Sequence, residues 1–311
     1  MKNKLFKILL VALCVITCCF TCIGCAPTKP NDEDGGNTVT KSKFYLLGNT
    51  TNSQMFGCIL QSKTKTIIID GGVSGDRNQI TNFIRENNIN KIDAWYFTHP
   101  HADHMGAFCS IYKNAVIIPV DKIYHHFPSV DALKEYGSRN EAEVALWDQM
   151  EEIFANKFLG KVEKVNVGDR MTFDEISIEI LRVHNPAITT DFVNNSSMVF
   201  RIENANASIL ILGDLGVAGG QDVMSKVPLK FLQTDYTQMA HHGQQGVSKE
   251  FYDYIIPKRC LWPTPTWLWD NDNGGGYNSG SWKTLETRSW MEELGVTEHY
   301  VSKDGTVKIE F

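Results

Sequence analysis

IDAWYFTHPHADHMG, residues 92–106, is the stretch on which the reading of this chain turns. Its first seven residues are apolar and aromatic with one acid, which predicts a short buried strand. That strand runs directly into His99-Pro100-His101-Ala102-Asp103-His104, four potential metal ligands within six residues. A strand cannot aim all four at one point, because successive side chains leave on opposite faces. A tight loop just after a strand can, and Gly106 with the helix that follows lets the chain turn away. Imidazole mixed with carboxylate suits zinc, manganese or iron better than calcium or magnesium, which prefer oxygen alone.

Outward from this cluster, polar residues recur at the ends of other β-type runs. Asp70 follows TIII (66–69), Asp214 follows ILILG (209–213), and His241-His242 follow the apolar-alternating run 231–239. One Asp at a strand end is ordinarily a turn residue. Repeated in a chain that already holds a ligand cluster, these residues supply donors for two divalent cations. Further strands are expected at 43–47, 55–61, 116–120, 162–167, 176–183, 197–203 and 208–212, with two short ones at the end of the chain. Helices are expected at 76–88, 130–157 (Leu146, Met150 and Phe154 on one face), 219–226, 248–256 and 281–293. Strands with helices between them and polar groups at the strand exits predict two sheets covered by helices. No Pro/Gly-rich linker and no internal repeat interrupts 43–311, which reads as one domain.

The 311 residues are 42% hydrophobic and 21% charged, the proportions of a globular protein. The first 25 carry Lys2, Lys4 and Lys7 and no acid, so without them the formal charge moves from −6 to −9. A body that acidic is not built to coat nucleic acid, although a bound metal can supply positive charge locally. Five of eight cysteines lie before residue 26. Cys58, Cys109 and Cys260 lack metal-site spacing and read as small buried residues. Residues 1–7 are basic and 8–23 apolar, ending at Gly24-Cys25, the layout of a secretory signal. Its end resembles the lipobox of bacterial lipoproteins, with Cys22 where Leu is usual. The resemblance implies cleavage before a lipidated Cys25, membrane attachment, and a polar tether over 26–42. An uncleaved anchor or plain secretion are the alternatives, and all three place the body outside the cytoplasm.

The run THPHADHMGA resembles the H-x-H-x-D-H motif of the metallo-β-lactamase superfamily. The order of Asp70-Gly71-Gly72, the His cluster, Gly213-Asp214 and a late His agrees with it. NNSSMVFRI (194–202), LILGD (210–214), AHHG (240–243) with Ser248, and SKDGTVKI (302–309) are similar to the hydrolase-like domain of the ComEC competence proteins. The resemblance covers 43–311 and implies a four-layer αββα sandwich with two metals, zinc foremost and manganese or iron as alternatives, at the edge of paired sheets. It implies His99 and His101 on the first metal, Asp103, His104 and a late His on the second, and Asp214 bridging. His242 is the expected late ligand, because adjacent strand-end side chains point apart and His242 precedes Gly243; His241 is the alternative. Asp70 is expected to orient a ligand imidazole. Where the superfamily often has a further His, this chain has Asn194 and Asn195, and His184 is the nearest replacement. The N-terminal Val-Gly-Gln-Gly-Asp and later Asn-x-Tyr-Gly-His-Pro elements of the ComEC type are absent.

The expected activity is hydrolysis by a metal-activated water, with Asp103 orienting it and accepting its proton. The ComEC-like resemblance points to phosphodiesters, and the acidic body to small or nucleotide-like substrates. Two alternatives remain: a lactone, β-lactam or thioester hydrolase on the same fold, and a surface-tethered, non-catalytic binding module. Trp262, Trp267, Trp269, Trp282 and Trp290, around a Gly/Asn-rich loop, motivate the last of these.

Overall fold

The structure is a computed structural model that describes residues 41–137 and 140–311. The expected signal at 1–25 and the tether up to residue 40 lie outside the described residues. Among the described residues no helix is long and apolar enough to cross a membrane.

Among the described residues, fourteen strands form two seven-stranded sheets. The first takes β1 (Lys43–Leu46), β2 (Gly57–Gln61), β3 (Thr66–Asp70), β4 (Ile92–Tyr96), β5 (Val120–His125) and β6 (Val162–Lys164), with the final strand β14 (Val307–Glu310) beside β1. The second takes β7 (Arg170–Phe173), β8 (Ile176–Arg182), β9 (Val199–Glu203), β10 (Ser208–Ile211), β11 (Tyr236–Gln238), β12 (Arg259–Trp262) and β13 (Glu298–Val301) in spatial order 13-12-11-10-9-8-7. Each sheet is antiparallel on one side and parallel on the other: β3 to β6 run parallel in the first, β10 to β13 in the second. Parallel strands need both faces covered, and β3, β4 and β10 accordingly have no exposed residue.

Three apolar cores separate four layers. Phe44, Phe56, Ile69, Tyr96, Ile178 and Phe200 fill the space between the sheets. Ile68, Trp95 and Ile123 pack the outer face of the first sheet against α1 (Arg77–Glu86), α2 (Ala102–Tyr112) and α3 (Glu141–Lys157). Leu210, Leu212 and Trp262 pack the second sheet against α4 (Val217–Lys226), α5 (Lys249–Ile255) and α6 (Thr284–Glu293). Each such side chain removed from water contributes about 1.5–3 kcal/mol. This is the four-layer αββα sandwich.

Several expected elements differ. The run 231–239 is not one strand: Pro228 opens a short helix at Leu229–Leu232, and only Tyr236–Gln238 is extended. The strand expected at 116–120 begins at Val120. The expected helix 130–157 is broken, with helical turns at 130–137 and a fresh start where the Asn140 side chain accepts from Ala142 N–H. Strands β7 and β12 have no counterpart among the expected strands. Cys58, Cys109 and Cys260 are free and buried.

The sheets set the site by direction. The carboxyl ends of β3, β4, β10, β11 and β12 deliver Asp70, Thr98-His99, Gly213-Asp214, the 240–243 turn and Pro263 to one edge of the sandwich. That is where open α/β sheets place their ligand sites.

Candidate metal centre

Each ligand is aimed by local chain chemistry. Pro100 holds His99 extended, and His101, also extended, caps α2 (φ −80°, ψ 158°). Asp103 then falls in the first turn, where the helix's unpaired N–H groups favour a carboxylate. Trp147 of α3 donates its indole N–H to Pro100 O (2.8 Å) and fixes this loop from outside. Gly213 turns with φ +58°, and a Cβ there would lie 2.9 Å from Ser197 Oγ, so glycine alone lets Asp214 reach the edge. Ser197 Oγ accepts from Asp214 N–H (3.0 Å), and Asn195 Oδ1 accepts from Gly216 and Gly219 N–H.

Among the described residues two donor groups result, both containing Asp214: His99, His101 and Asp214, and Asp103, His104, Asp214 and His242. His99 Nε2 lies 2.9 Å from His101 Nδ1 and 3.9 Å from Asp214 Oδ2. His104 Nε2 and His242 Nε2 lie 3.2 and 3.3 Å from Asp214 Oδ2, and His242 Nε2 is 3.1 Å from Asp103 Oδ2. These two imidazole nitrogens and Asp214 Oδ1 are buried without a hydrogen-bond partner. Such orphaned groups are costly unless something else satisfies them, and a cation between the two histidines and the carboxylates would do so.

The outer nitrogens fix the tautomers. His242 Nδ1 can only donate to Pro263 O (2.8 Å), which leaves Nε2 a bare lone pair facing inward. His104 Nδ1 donates to Asp70 Oδ2 (2.8 Å) with the same result. Asp70, fully buried, also accepts from Thr98 N–H (2.8 Å) and the Thr98 hydroxyl (2.6 Å). That hydroxyl, having donated to Asp70, is left to accept from His99 Nδ1 (3.1 Å), which turns His99 Nε2 inward. Thr98, unremarked in the sequence, thus ties two histidines of the donor groups to one carboxylate.

The electrostatics describe a cation site. Burial lifts Asp214, but the adjacent His104 and His242 imidazoles outweigh it and hold the carboxyl well below its ordinary range. Asp103, likewise raised by burial, is brought down to about 2 by the adjacent His242 imidazole and by His104. Burial lowers His242, yet Asp214 and Asp103 raise it to about 10, and Asp214 and Asp70 raise His104 well above its usual value. His99, buried with the other imidazoles as neighbours, is pushed far down. The raised values of His104 and His242 mark their inward nitrogens as positions where positive charge is favoured.

His242 is therefore in a donor group, but not for the reason expected. The 240–243 segment is a turn, and His241 and His242 both adopt the left-handed conformation (φ 50° and 55°). Their side chains do not point apart: His241 Nε2 also comes within 4.0 Å of Asp214 Oδ2, although it belongs to neither donor group. Two successive non-glycine residues in this region cost of order 1–3 kcal/mol each and persist only when their surroundings impose them. Here Thr264 Oγ1 donates to His242 O (2.7 Å) and His241 N–H to Gly213 O (3.1 Å). Asp70, also at φ 50°, makes a third such residue in the centre.

His184 is a correction. It lies in neither donor group but 5.2 Å from the Phe192 ring, lining a cavity of about 370 Å³ between the end of β8 and α4. β8 ends at Arg182, and the loop beyond carries His184 sideways. Asn195 is spent on the Asp214 turn, and Asn194 Oδ1 is buried without a partner. Arg182, overlooked in the sequence, is buried and donates to Ser197 O (2.7 Å) and Asn195 O (2.8 Å), bracing that turn. The basic residue in a strand end was its only signal. Trp262 is buried and Trp290 packs on the same core.

The sequence profile of the Metallo-beta-lactamase superfamily matches residues 58–261. ComE operon protein 3 of Bacillus subtilis is 27% identical over 180 residues, 58% of this chain and 21% of that protein. Exodeoxyribonuclease WalJ of Streptococcus pneumoniae is 27% identical over 181 residues, 56% of this chain and 54% of that protein. The chain thus aligns with no more than about half the length of these curated relatives. Among solved structures, the metallo-beta-lactamase fold protein YhfI of Bacillus subtilis superposes with a TM-score of 0.52 at 13% identity, covering 87% of this chain and all of that one. CmlA, a diiron beta-hydroxylase of Streptomyces venezuelae, does so at 0.54 and 10% identity, covering 87% and 54%. These two likenesses concern the fold. With a profile match across most of its length, the paired sheets and the shared-carboxylate donor groups, this chain belongs to the metallo-β-lactamase superfamily.

Proposed function

We propose that this protein hydrolyses small or nucleotide-like phosphodiesters with a metal-activated water. The observation that carries the reading is Asp214, one buried carboxylate shared by two donor groups, with the inward nitrogens of His104 and His242 left without a hydrogen-bond partner. Bound there, two divalent cations, zinc foremost, supply a low-pKa water and positive charge for the substrate's oxygens. His99 and His101 would hold one and Asp103, His104 and His242 the other, with Asp214 between. Asp103 is the partly exposed carboxylate of the set, its side chain 23% accessible, so it can reach incoming water, orient it and take its proton. Asp70 and Thr98 hold the imidazoles. No serine or cysteine nucleophile is needed. The curated relative described as an exodeoxyribonuclease supports phosphodiester chemistry. The signal-like N-terminus supports a body outside the cytoplasm, attached to the membrane through a lipidated Cys25, and the acidic composition argues against coating of long nucleic acids.

The test is turnover of bis(p-nitrophenyl) phosphate, a chromogenic cephalosporin and an acyl lactone by the metal-loaded protein. The expected result is diester hydrolysis abolished by a chelator and by Asp103→Ala. Cephalosporin or lactone hydrolysis without diesterase activity would overturn the substrate class. Asp103→Ala with unchanged turnover in excess metal would overturn the role of Asp103.

A further inference from the structure

Five tryptophans lie between residues 262 and 290, and the structure divides them. Trp262 is fully buried beneath Gly243, while Trp269 and Trp290 pack against the core of the second sheet. Trp269 also carries the Arg288 guanidinium on its face (4.0 Å). Trp267 and Trp282 belong to none of the apolar cores. They are half-buried and meet edge to face, centroids 4.8 Å apart at 61°. In an edge-to-face pair the ring that offers its edge does not spend its own π-face on the partner.

Two tethers place this pair beside the metal centre. On one side Pro263 O accepts from His242, and four residues later the chain reaches Trp267. On the other, Trp267 Nε1 donates to Asn52 O (3.0 Å), and four residues on, Phe56 N–H bonds to Asp103 O (3.0 Å). Four residues span at most about 14 Å, so with the hydrogen bonds at their ends the two routes keep Trp267 within about 17 and about 20 Å of the donor edge. The neighbouring turn is held in shape by Asp272, whose Oδ1 accepts from Gly274 N–H (2.7 Å) and Gly276 N–H (2.8 Å), and it presents Tyr277, 68% exposed.

We infer that Trp267 and Trp282 form a stacking platform for the nucleobase of a substrate whose phosphate sits at the metal centre. The inference rests on the phosphodiester reading and extends it: the metals take the phosphate, and the tryptophans take the base. Stacking suits an acidic protein, because it recognises a base without a basic groove along the phosphates.

The test is calorimetric titration of the metal-loaded full chain with adenosine 5′-monophosphate, adenosine and ribose 5-phosphate. Stacking of one base predicts that the nucleotide binds about tenfold more tightly than ribose 5-phosphate. Trp267→Leu should bring it to parity with ribose 5-phosphate, weaken adenosine equally and leave ribose 5-phosphate unchanged, with Trp282→Leu acting in the same direction. Should ribose 5-phosphate binding also fall, showing a displaced loop, Trp267→Phe must restore the nucleotide's advantage; failure to do so overturns the platform. Equal binding of nucleotide and ribose 5-phosphate by the parent protein overturns it, as does an advantage untouched by either Leu substitution. Tighter binding of N-acetylglucosamine than of adenosine would mark a sugar platform and refute the proposal. Adenosine binding that depends on Trp267 in a protein without diesterase activity would leave the platform standing and remove the phosphodiester reading.

Discussion

Asp70→Asn isolates the hydrogen bonds behind the ligands. Asparagine has the same shape and tolerates the left-handed backbone at φ 50°, so the turn should survive. Its amide oxygen can still accept from Thr98 N–H, but an NH₂ replaces the oxygen that accepts from His104 Nδ1 (2.8 Å) and the Thr98 hydroxyl (2.6 Å). His104 Nδ1–H then faces another donor. Its proton moves to Nε2, the atom needed for metal, or the ring turns. A reversed Thr98 hydroxyl also stops supporting the tautomer of His99. Loss of such an outer partner lowers metal affinity about 10–100-fold, or about 1.4–2.7 kcal/mol, and the larger loss should fall on the site containing His104. Burial already outweighs the partners of Asp70 and raises its pKa, so the neutral amide removes an unfavourable buried charge. The metal-free variant should therefore lose less stability than the metal-loaded one. Competition with a chromophoric chelator measures affinity, and nitrogen-detected NMR of the imidazoles reads the tautomer. Two metals bound at parental affinity, with His104 still protonated at Nδ1, would refute the argument.

Asp214→Asn should remove the shared carboxylate from both groups, reducing bound metal by elemental analysis from two ions to one or none and turnover by at least about 10²-fold. His184→Ala should leave metal content unchanged, because His184 lies outside both groups. Gly243→Ala should destabilise the fold by roughly 1–3 kcal/mol in urea denaturation, since its Cβ would sit 2.4 Å from the Trp262 ring at φ +77°. Burial chiefly, with Lys164 and His126 adding, pushes His125 down to about 3. The unfolded chain gains that proton near pH 6.5 and the folded one does not, so stability present above 6.5 is lost as pH falls towards 3, by up to about 1.4 kcal/mol per unit. His125→Phe should flatten that slope in denaturation midpoints measured between pH 4 and 7.

The fold and the donor groups were legible because their chemistry is local in sequence. The His99–His104 cluster needs only one strand end, and Asp214 and His242 each follow an apolar run that marks where a strand stops. What supports them was not legible. Thr98 and Arg182 act through contacts spanning 28 and 15 residues, to Asp70 and Ser197, for which no periodicity exists. The choice between His241 and His242 depended on a left-handed turn that no strand rule contains. The expected strand 231–239 failed because apolar alternation there serves a short helix as well as a strand. Signal and tether lie outside the described residues.

The pairing of β1 with β14 has a practical consequence. Lys43 lies opposite Glu310, and Phe311 N–H bonds to Ser42 O, so both described ends of the chain leave the first sheet at the same margin. Strand β3 starts there at Thr66 and runs about 13 Å to Asp70. A surface linkage made through either end would thus hold the protein by its floor, with the donor edge facing the solution. Protein immobilised in this way should leave the donor edge accessible to solutes.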